Sequence, residues 1–232
     1  MDTILRKLFQ HNWIAIIFFN FKMLPLHQAI HLPFDFYHKI KFKCIKGKVI
    51  INPNIKLHRA MIKIGGRGSE MFPHNPTILN LCSKGTIYFN GETEIGIGSY
   101  VYVGENAKII FGNKNRIGAL CKLYCENKIT IGNEVGISWE CQIFDTNFHY
   151  MEDIETKQIF EKNTPIKIGS YNWFGNRVNI MKGTITPDNC IIASNSLCNK
   201  DYSSLPNYSL IAGSPAKFIK KGIKRLFEGT DL

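Results

Sequence analysis

No two of the chain's seven cysteines stand at Cys-x-x-Cys spacing, and none has a histidine nearby at zinc-ligand spacing. Scattered and odd in number, they read as small buried side chains in a reducing compartment. Long apolar runs are missing too. The longest, residues 13–19 (WIAIIFF), falls far short of the roughly 18 residues that span a bilayer, and no small-residue cleavage site follows it. The expected location is therefore the cytoplasm. Acidic residues are scarce, 18 against 29 Lys and Arg, and the resulting charge of +11 favours anionic partners. Nucleic acid is not expected among them, because the chain has no nucleic-acid-binding motif and no aromatics interleaved with Lys or Arg along one face.

With 232 residues, 44% of them hydrophobic and 20% charged, the chain has the means for one cored domain with an appendage. Residues 1–44 form the appendage, with Arg6, Lys7, Lys22, Lys39, Lys41 and Lys43 against only Asp2 and Asp35. A basic, aromatic segment of this kind suits a peripheral contact at the inner face of the cell membrane. It suits equally a cap packed on the main domain, 45–232.

The main domain carries a repeat. From Ile95 to Ile143 every sixth residue is apolar or small except Asn113, and the beat resumes from Ile168 to Cys198 with Gly, Asn and Ser between. Six is not a helical period, and neither run shows the i, i+3, i+4, i+7 spacing of an amphipathic helix. Short strands joined by tight corners fit, three hexads to a coil, with Asn and Gly at corners that need left-handed backbone angles. Residues 18 apart, such as Ile95, Asn113 and Ile131, would then stack in columns, Asn113 marking a bulge.

This pattern resembles the hexapeptide-repeat acyltransferase family, strongly from about residue 95 to 222. The resemblance implies an all-β, left-handed parallel β-helix with a helical or irregular N-terminal segment and a short C-terminal helix. From Ile143 to Ile168 is one residue more than four hexads, so residues 145–165 read as a loop thrown out of the coil. It holds His149, the only histidine of the hexapeptide region. The run ITIGNEVGISWECQIFDTNFHY is similar to the segment that carries the catalytic histidine in the family's sugar and polysaccharide O-acetyltransferases, whose loop often reads DTDFH; Asn147 replaces the second acid.

The chemistry suits the residue. Moving an acetyl group from a thioester to an alcohol needs a base for the hydroxyl proton, and an imidazole with a pKa of about 6.5 serves at neutral pH. Its second nitrogen needs an acceptor, a backbone carbonyl or one of Asp145, Glu152 and Asp153. Trp139, Asp145 and Asn147 are the candidate acceptor-binding residues.

Downstream, NWFGNRVNIMKGTITPDNCIIASNSLCNKD and LPNYSLIAGSPAKFIKKG resemble the family's last coils. The resemblance implies acetyl-CoA in a cleft between subunits of a homotrimer, lined by Asn176, Ala193, Ser194, Asn199 and Lys200, with Lys217 and Lys220 near the phosphates. No metal is expected. A metalloenzyme of this fold would need three histidines in the repeats, where there is one. The expected activity is acetyl-CoA-dependent O-acetylation of a sugar or glycan acceptor in surface polysaccharide biosynthesis. An N-acetyltransferase of an amino-sugar nucleotide and a non-catalytic β-helix scaffold are the alternatives.

Overall fold

Runs such as Thr86–Phe89 (TIYF), Tyr100–Val103 (YVYV) and Lys108–Phe111 (KIIF) alternate outward and buried side chains, the period of a half-buried strand. The computed structural model describes residues 10–66, 71–72 and 75–226 of the chain. In each coil three short strands follow one another, and each pairs in parallel with its counterparts in the coils before and after. A nine-stranded, a seven-stranded and a five-stranded face thus wrap one core. Thr93–Gly96, Tyr100–Val103 and Lys108–Phe111 are one coil's contributions to the first, second and third faces. The inward side chains stack, as Phe89 does on Phe111 at 5.2 Å between ring centroids. Burying each such side chain contributes about 1.5–3 kcal/mol.

The coil begins before residue 45, earlier than expected. Phe34–Phe36 already pairs with Ile62–Gly66, and Ile40–Ile45 with Thr77–Leu81. The aromatic and β-branched content of these segments favours strands, and the basic residues alternate outward with Phe42 between them. The rest of the described N-terminal segment, residues 10–33, is a cap; Asp2, Arg6 and Lys7 lie outside the described residues. The helix Trp13–Met23 starts at Asn12, whose side chain accepts from the Ala15 N–H, and it buries Ala15, Ile16 and Phe19. Asn20 fastens it to the end strand: its amide donates to the Phe34 carbonyl and accepts from the Phe34 N–H, at 2.9 and 3.1 Å. The core is thereby closed at one end. No helix among the described residues is long and apolar enough to cross a membrane.

Coil length departs from the expected 18 residues. Phe89 pairs with Phe111 and Val101 with Leu123, both 22 residues on, while Ile117 pairs with Ile137, 20 residues on. Only after the loop does the interval reach 18, at Phe174 with Ile192 and Ile180 with Cys198. Ile95, Asn113 and Ile131 therefore share no column. Asn113 lies instead on an exposed corner between the third and first faces, where its side chain accepts from the Glu92 N–H. The ladder continues there, with Asn113 N–H donating to Asn133, Asn133 N–H to Ser170 and Ser170 N–H to Asp188, at 2.7–3.1 Å.

The left-handed corner positions are mostly not Asn or Gly. Leu120, Glu140, Arg177 and Asn195 on one corner have φ of 58–60°. The strain, about 1–2 kcal/mol for an L-residue, is offset because each of these N–H groups donates to a carbonyl of the preceding coil, as Glu140 does to Ala119 at 2.9 Å. Glycine serves close approach: a Cβ on Gly118 would lie 2.6 Å from the Ser138 carbonyl carbon of the next coil.

At the far end the expected C-terminal helix is replaced, among the described residues, by a strand. Leu210–Gly213 and Ala216–Lys220 pair antiparallel around Ser214 and Pro215. Proline at the turn and the adjacent Phe218 and Ile219 favour a hairpin over a helical turn.

Candidate functional site

The loop leaves the coil between the second face, at Gln142–Phe144, and the third, at Ile166–Ile168. Its base is tied shut. Thr146 bridges Asn163, Asn147 N–H donates to the Lys162 carbonyl at 3.0 Å, and Thr164 N–H donates to the Asp145 carbonyl at 2.9 Å. Lys182 on the next coil donates to the Glu161 carbonyl. Farther out, Met151–Glu152 and Ile159–Phe160 pair antiparallel, so the loop has structure of its own.

His149 stands just outside this base. Thr146 accepts from the Phe148 N–H at 2.9 Å, and Phe148 takes a left-handed φ of 66°. That turn sends His149 to the surface, exposed, with no hydrogen-bond partner for its ring among the described residues. None of the three candidate carboxylates bonds to its ring. Asp153 accepts from the N–H groups of Glu155 and Thr156, which hold its carboxyl below the usual range, and Glu152 faces Lys157 at 3.9 Å.

Asp145 departs furthest from expectation. It is fully buried, and its carboxylate accepts from the backbone N–H of Glu126 at 2.7 Å and of Asn127 at 2.9 Å. The Cys125 thiol adds a contact at 3.3 Å; burial and then the nearby carboxylate push that thiol well above its ordinary range. Asp145 thus holds a corner of the preceding coil, its carboxylate buried and turned to these two amides and away from the surface. Asn147 remains half-buried at the loop base.

Beside His149 runs a ladder of rings that the period alone did not disclose. On the outer side of the second face Tyr102 stacks on Tyr124 at 4.1 Å and 16°. Phe148 meets Tyr124 edge-on at 4.9 Å and Phe144 at 5.8 Å. The sequence signal was present in the alternation of YVYV and KLYC, where every second residue points outward.

The expected donor residues lie on two corners. Asn176, Ala193 and Ser194 occupy the corner between the first and second faces, where the Ser194 hydroxyl donates to Asn176 Oδ1 at 2.6 Å. Asn199 and Lys200 are exposed at the loop's own corner, and Lys200 lies over the Tyr202 ring at 5.5 Å. Lys217 and Lys220 are exposed on the terminal strand.

Trp139 lies on the Asn176 corner, one coil before it, and its carbonyl accepts from the Arg177 N–H at 3.0 Å. It borders a groove of about 860 Å³ on the first face, shared with Lys63, Glu94, Arg116, Trp173 and Arg225. The Arg225 guanidinium stacks 3.3 Å above the Trp173 ring, and burial followed by nearby Arg116 lowers its pKa. Trp173 thus lines the groove with its ring covered by Arg225. In one chain the strand Gln142–Phe144 separates Trp139 from the loop that bears His149.

The arrangement can be set beside known proteins. No protein-family model matches the chain. The solved polysialic-acid-specific acetyltransferase NeuO superposes on 85% of this chain and 80% of its own, with a TM-score of 0.65 at 22% identity. The chain shares that protein's left-handed parallel β-helix fold. By sequence the chain is 28% identical over 137 residues to a probable acetyltransferase of Mycobacterium tuberculosis, covering 55% of this chain and 44% of the relative. It is 30% identical over 120 residues to the polysialic acid O-acetyltransferase of Escherichia coli O1:K1, covering 51% and 38%. The match spans less than half the length of either relative.

Proposed function

We propose that the protein is an acetyl-CoA-dependent O-acetyltransferase for a sugar hydroxyl in a surface polysaccharide, acting as a homotrimer in the cytoplasm with a peripheral contact at the inner face of the membrane. The observation that carries this reading is the placement of His149, exposed at the register break, without a ring partner among the described residues and next to an outward ladder of rings. Imidazole Nε2 or Nδ1 takes the acceptor hydroxyl proton as the oxygen attacks the thioester carbonyl. The thiolate of coenzyme A then leaves and receives that proton from the imidazolium. A direct transfer fits the thiols: none of the seven cysteines is exposed, and burial raises Cys125, Cys190 and Cys198.

The donor reading rests on half-buried Asn176 and on exposed groups that suit it. Asn176 and Ser194 present polar side chains at one corner, and Lys200, Lys217 and Lys220 present mobile point charges suited to phosphates. Trp139 in its groove and Asn147 at the loop base are the acceptor candidates that remain once Asp145 is set aside. Division of these groups between two corners is the argument for a trimer. A threefold ring brings the His149 corner of one copy against the Asn176 corner of the next, a head-to-tail contact that closes.

Calorimetric titration with coenzyme A is the first test. Saturable binding, weakened by Lys200→Ala and kept by His149→Ala, is expected; no saturation at millimolar ligand would favour a scaffold. In an acetyl-transfer assay with a glycan acceptor, His149→Ala should slow turnover by about 10²–10⁴-fold. Mixing His149→Ala chains with Asn176→Ala, Ser194→Ala chains should restore activity, since mixed trimers contain intact sites. Two inactive variants that stay inactive when mixed would confine the site to one chain.

A further inference from the structure

The cap helix Trp13–Met23 is apolar on two sides. Ala15, Ile16 and Phe19 face the end coil, whereas Ile14, Ile17, Phe18 and Phe21 are exposed, Ile14 by 84%. The exposed set falls at i, i+3, i+4 and i+7, a single stripe along the helix. Leu26 and Ile30, one turn farther on, are exposed by 69% and 61%. Capping a coil requires one apolar face only, and a second one left in water is the mark of a contact surface.

The charges around the stripe have one sign. Lys22 is exposed on the helix, and Phe18 leans on Phe42 at 5.9 Å, with exposed Lys41 and Lys43 on either side of Phe42 in the strand. Lys39, Lys46 and Lys48 are exposed in the same end coil. Between residues 10 and 50 the only carboxylate is Asp35, which is buried and bonded to His11 Nδ1 at 2.9 Å.

We infer that this end of the molecule lies on a bilayer surface rich in anionic phospholipid, with the Ile14, Ile17, Phe18 and Phe21 stripe entering the acyl boundary and the lysines meeting the headgroups. This deepens the peripheral location in the proposed function and rests on it for the side of the membrane involved. Eleven residues of helix lie in the interface plane and do not span it. A second copy docked on the same patch would set lysines against lysines, a costly arrangement. Anionic headgroups neutralise them. With the end coil at the bilayer, the loop of His149 leaves four coils away, roughly 20 Å up at about 4.8 Å per coil. That height suits an acceptor sugar held some residues out from a lipid anchor.

The test is flotation of the full chain with vesicles of phosphatidylcholine, alone or mixed with phosphatidylglycerol. Partition is expected only with phosphatidylglycerol and should fall as salt is added. An Ile14→Ser, Phe21→Ser double variant should weaken it about tenfold or more, and Lys41→Glu, Lys43→Glu about tenfold at low salt. Both variants should keep the melting temperature and the coenzyme A affinity of the unchanged protein, which separates lost docking from lost folding. Equal binding to both vesicle types, no partition at all, or partition unaffected by both variants would overturn the inference. So would an Ile14→Ser, Phe21→Ser variant that changes only the oligomeric state, since the stripe would then join copies of the chain. Failure of the unchanged protein to bind coenzyme A would remove the transferase reading and leave the vesicle result standing.

Discussion

Between Ile78 and the loop a turn of the coil takes 20 to 22 residues and its strands are mostly three or four residues long; after the loop a turn takes about 18 and, ahead of the terminal hairpin, the strands shrink to two or three. The wide coils stack large rings inside, Phe34 edge-on to Phe89 and Phe89 on Phe111, whereas the narrow ones bury Ile180, Ile192, Cys190 and Cys198. One architecture therefore has a broad part that supplies burial and a slim part whose corners carry most of the candidate donor residues. The loop sits where one changes to the other, and there the strand register advances 37 residues in a single step, from Ile137 to Phe174.

The comparison can be broken at several points. Phe111→Ala empties the middle of the broad part and should cost about 3–5 kcal/mol, read from the urea midpoint; a loss no greater than that of Ile180→Val, about 0.5–1.5 kcal/mol, would erase the distinction. At the junction, Asp145→Ala removes the charged acceptor shared by the Glu126 and Asn127 amides and should cost about 1.5–3 kcal/mol. It should also loosen the loop base, which hydrogen exchange at Thr164 would report. On the corner ladder, Asn133→Ala before the loop and Asp188→Ala after it should each cost about 1 kcal/mol. Equal values would show that corner chemistry is indifferent to coil width. Smallest is the exposed Arg177–Glu140 pair across the junction, whose removal by Arg177→Ala should shift thermal stability by less than about 1 kcal/mol.

Most of the fold was legible because inward residues recur. Ile95, Val101, Ile131, Ile137 and Ile143 are all buried, as the beat demands. Coil length was not legible, since a six-residue count cannot see the extra residues that the ladder of Asn113 and Asn133 holds at a corner. At the site, the loop and the exposure of His149 followed from one surplus residue between two hexad runs. The duty of Asp145 did not. An acid next to a histidine loop reads as functional in one dimension, and only the packing of Glu126 and Asn127 over it shows where its oxygens point. Trp173 and Arg225 are 52 positions apart, so no local pattern joins them.

By itself the sequence determined the period, the parallel three-faced coil, the place where the loop departs and the basic, aromatic character of the first segment. These depend on side-chain alternation and charge, which are local and repeat along the chain. Tertiary structure alone decided the start of the coil at Phe34, the strand in place of a terminal helix, the ring ladder beside His149 and the outward stripe of the cap helix. Each depends on what a segment packs against, whether the other strand of a hairpin, the cap or the next coil, and those neighbours are set by how the chain folds back and stacks.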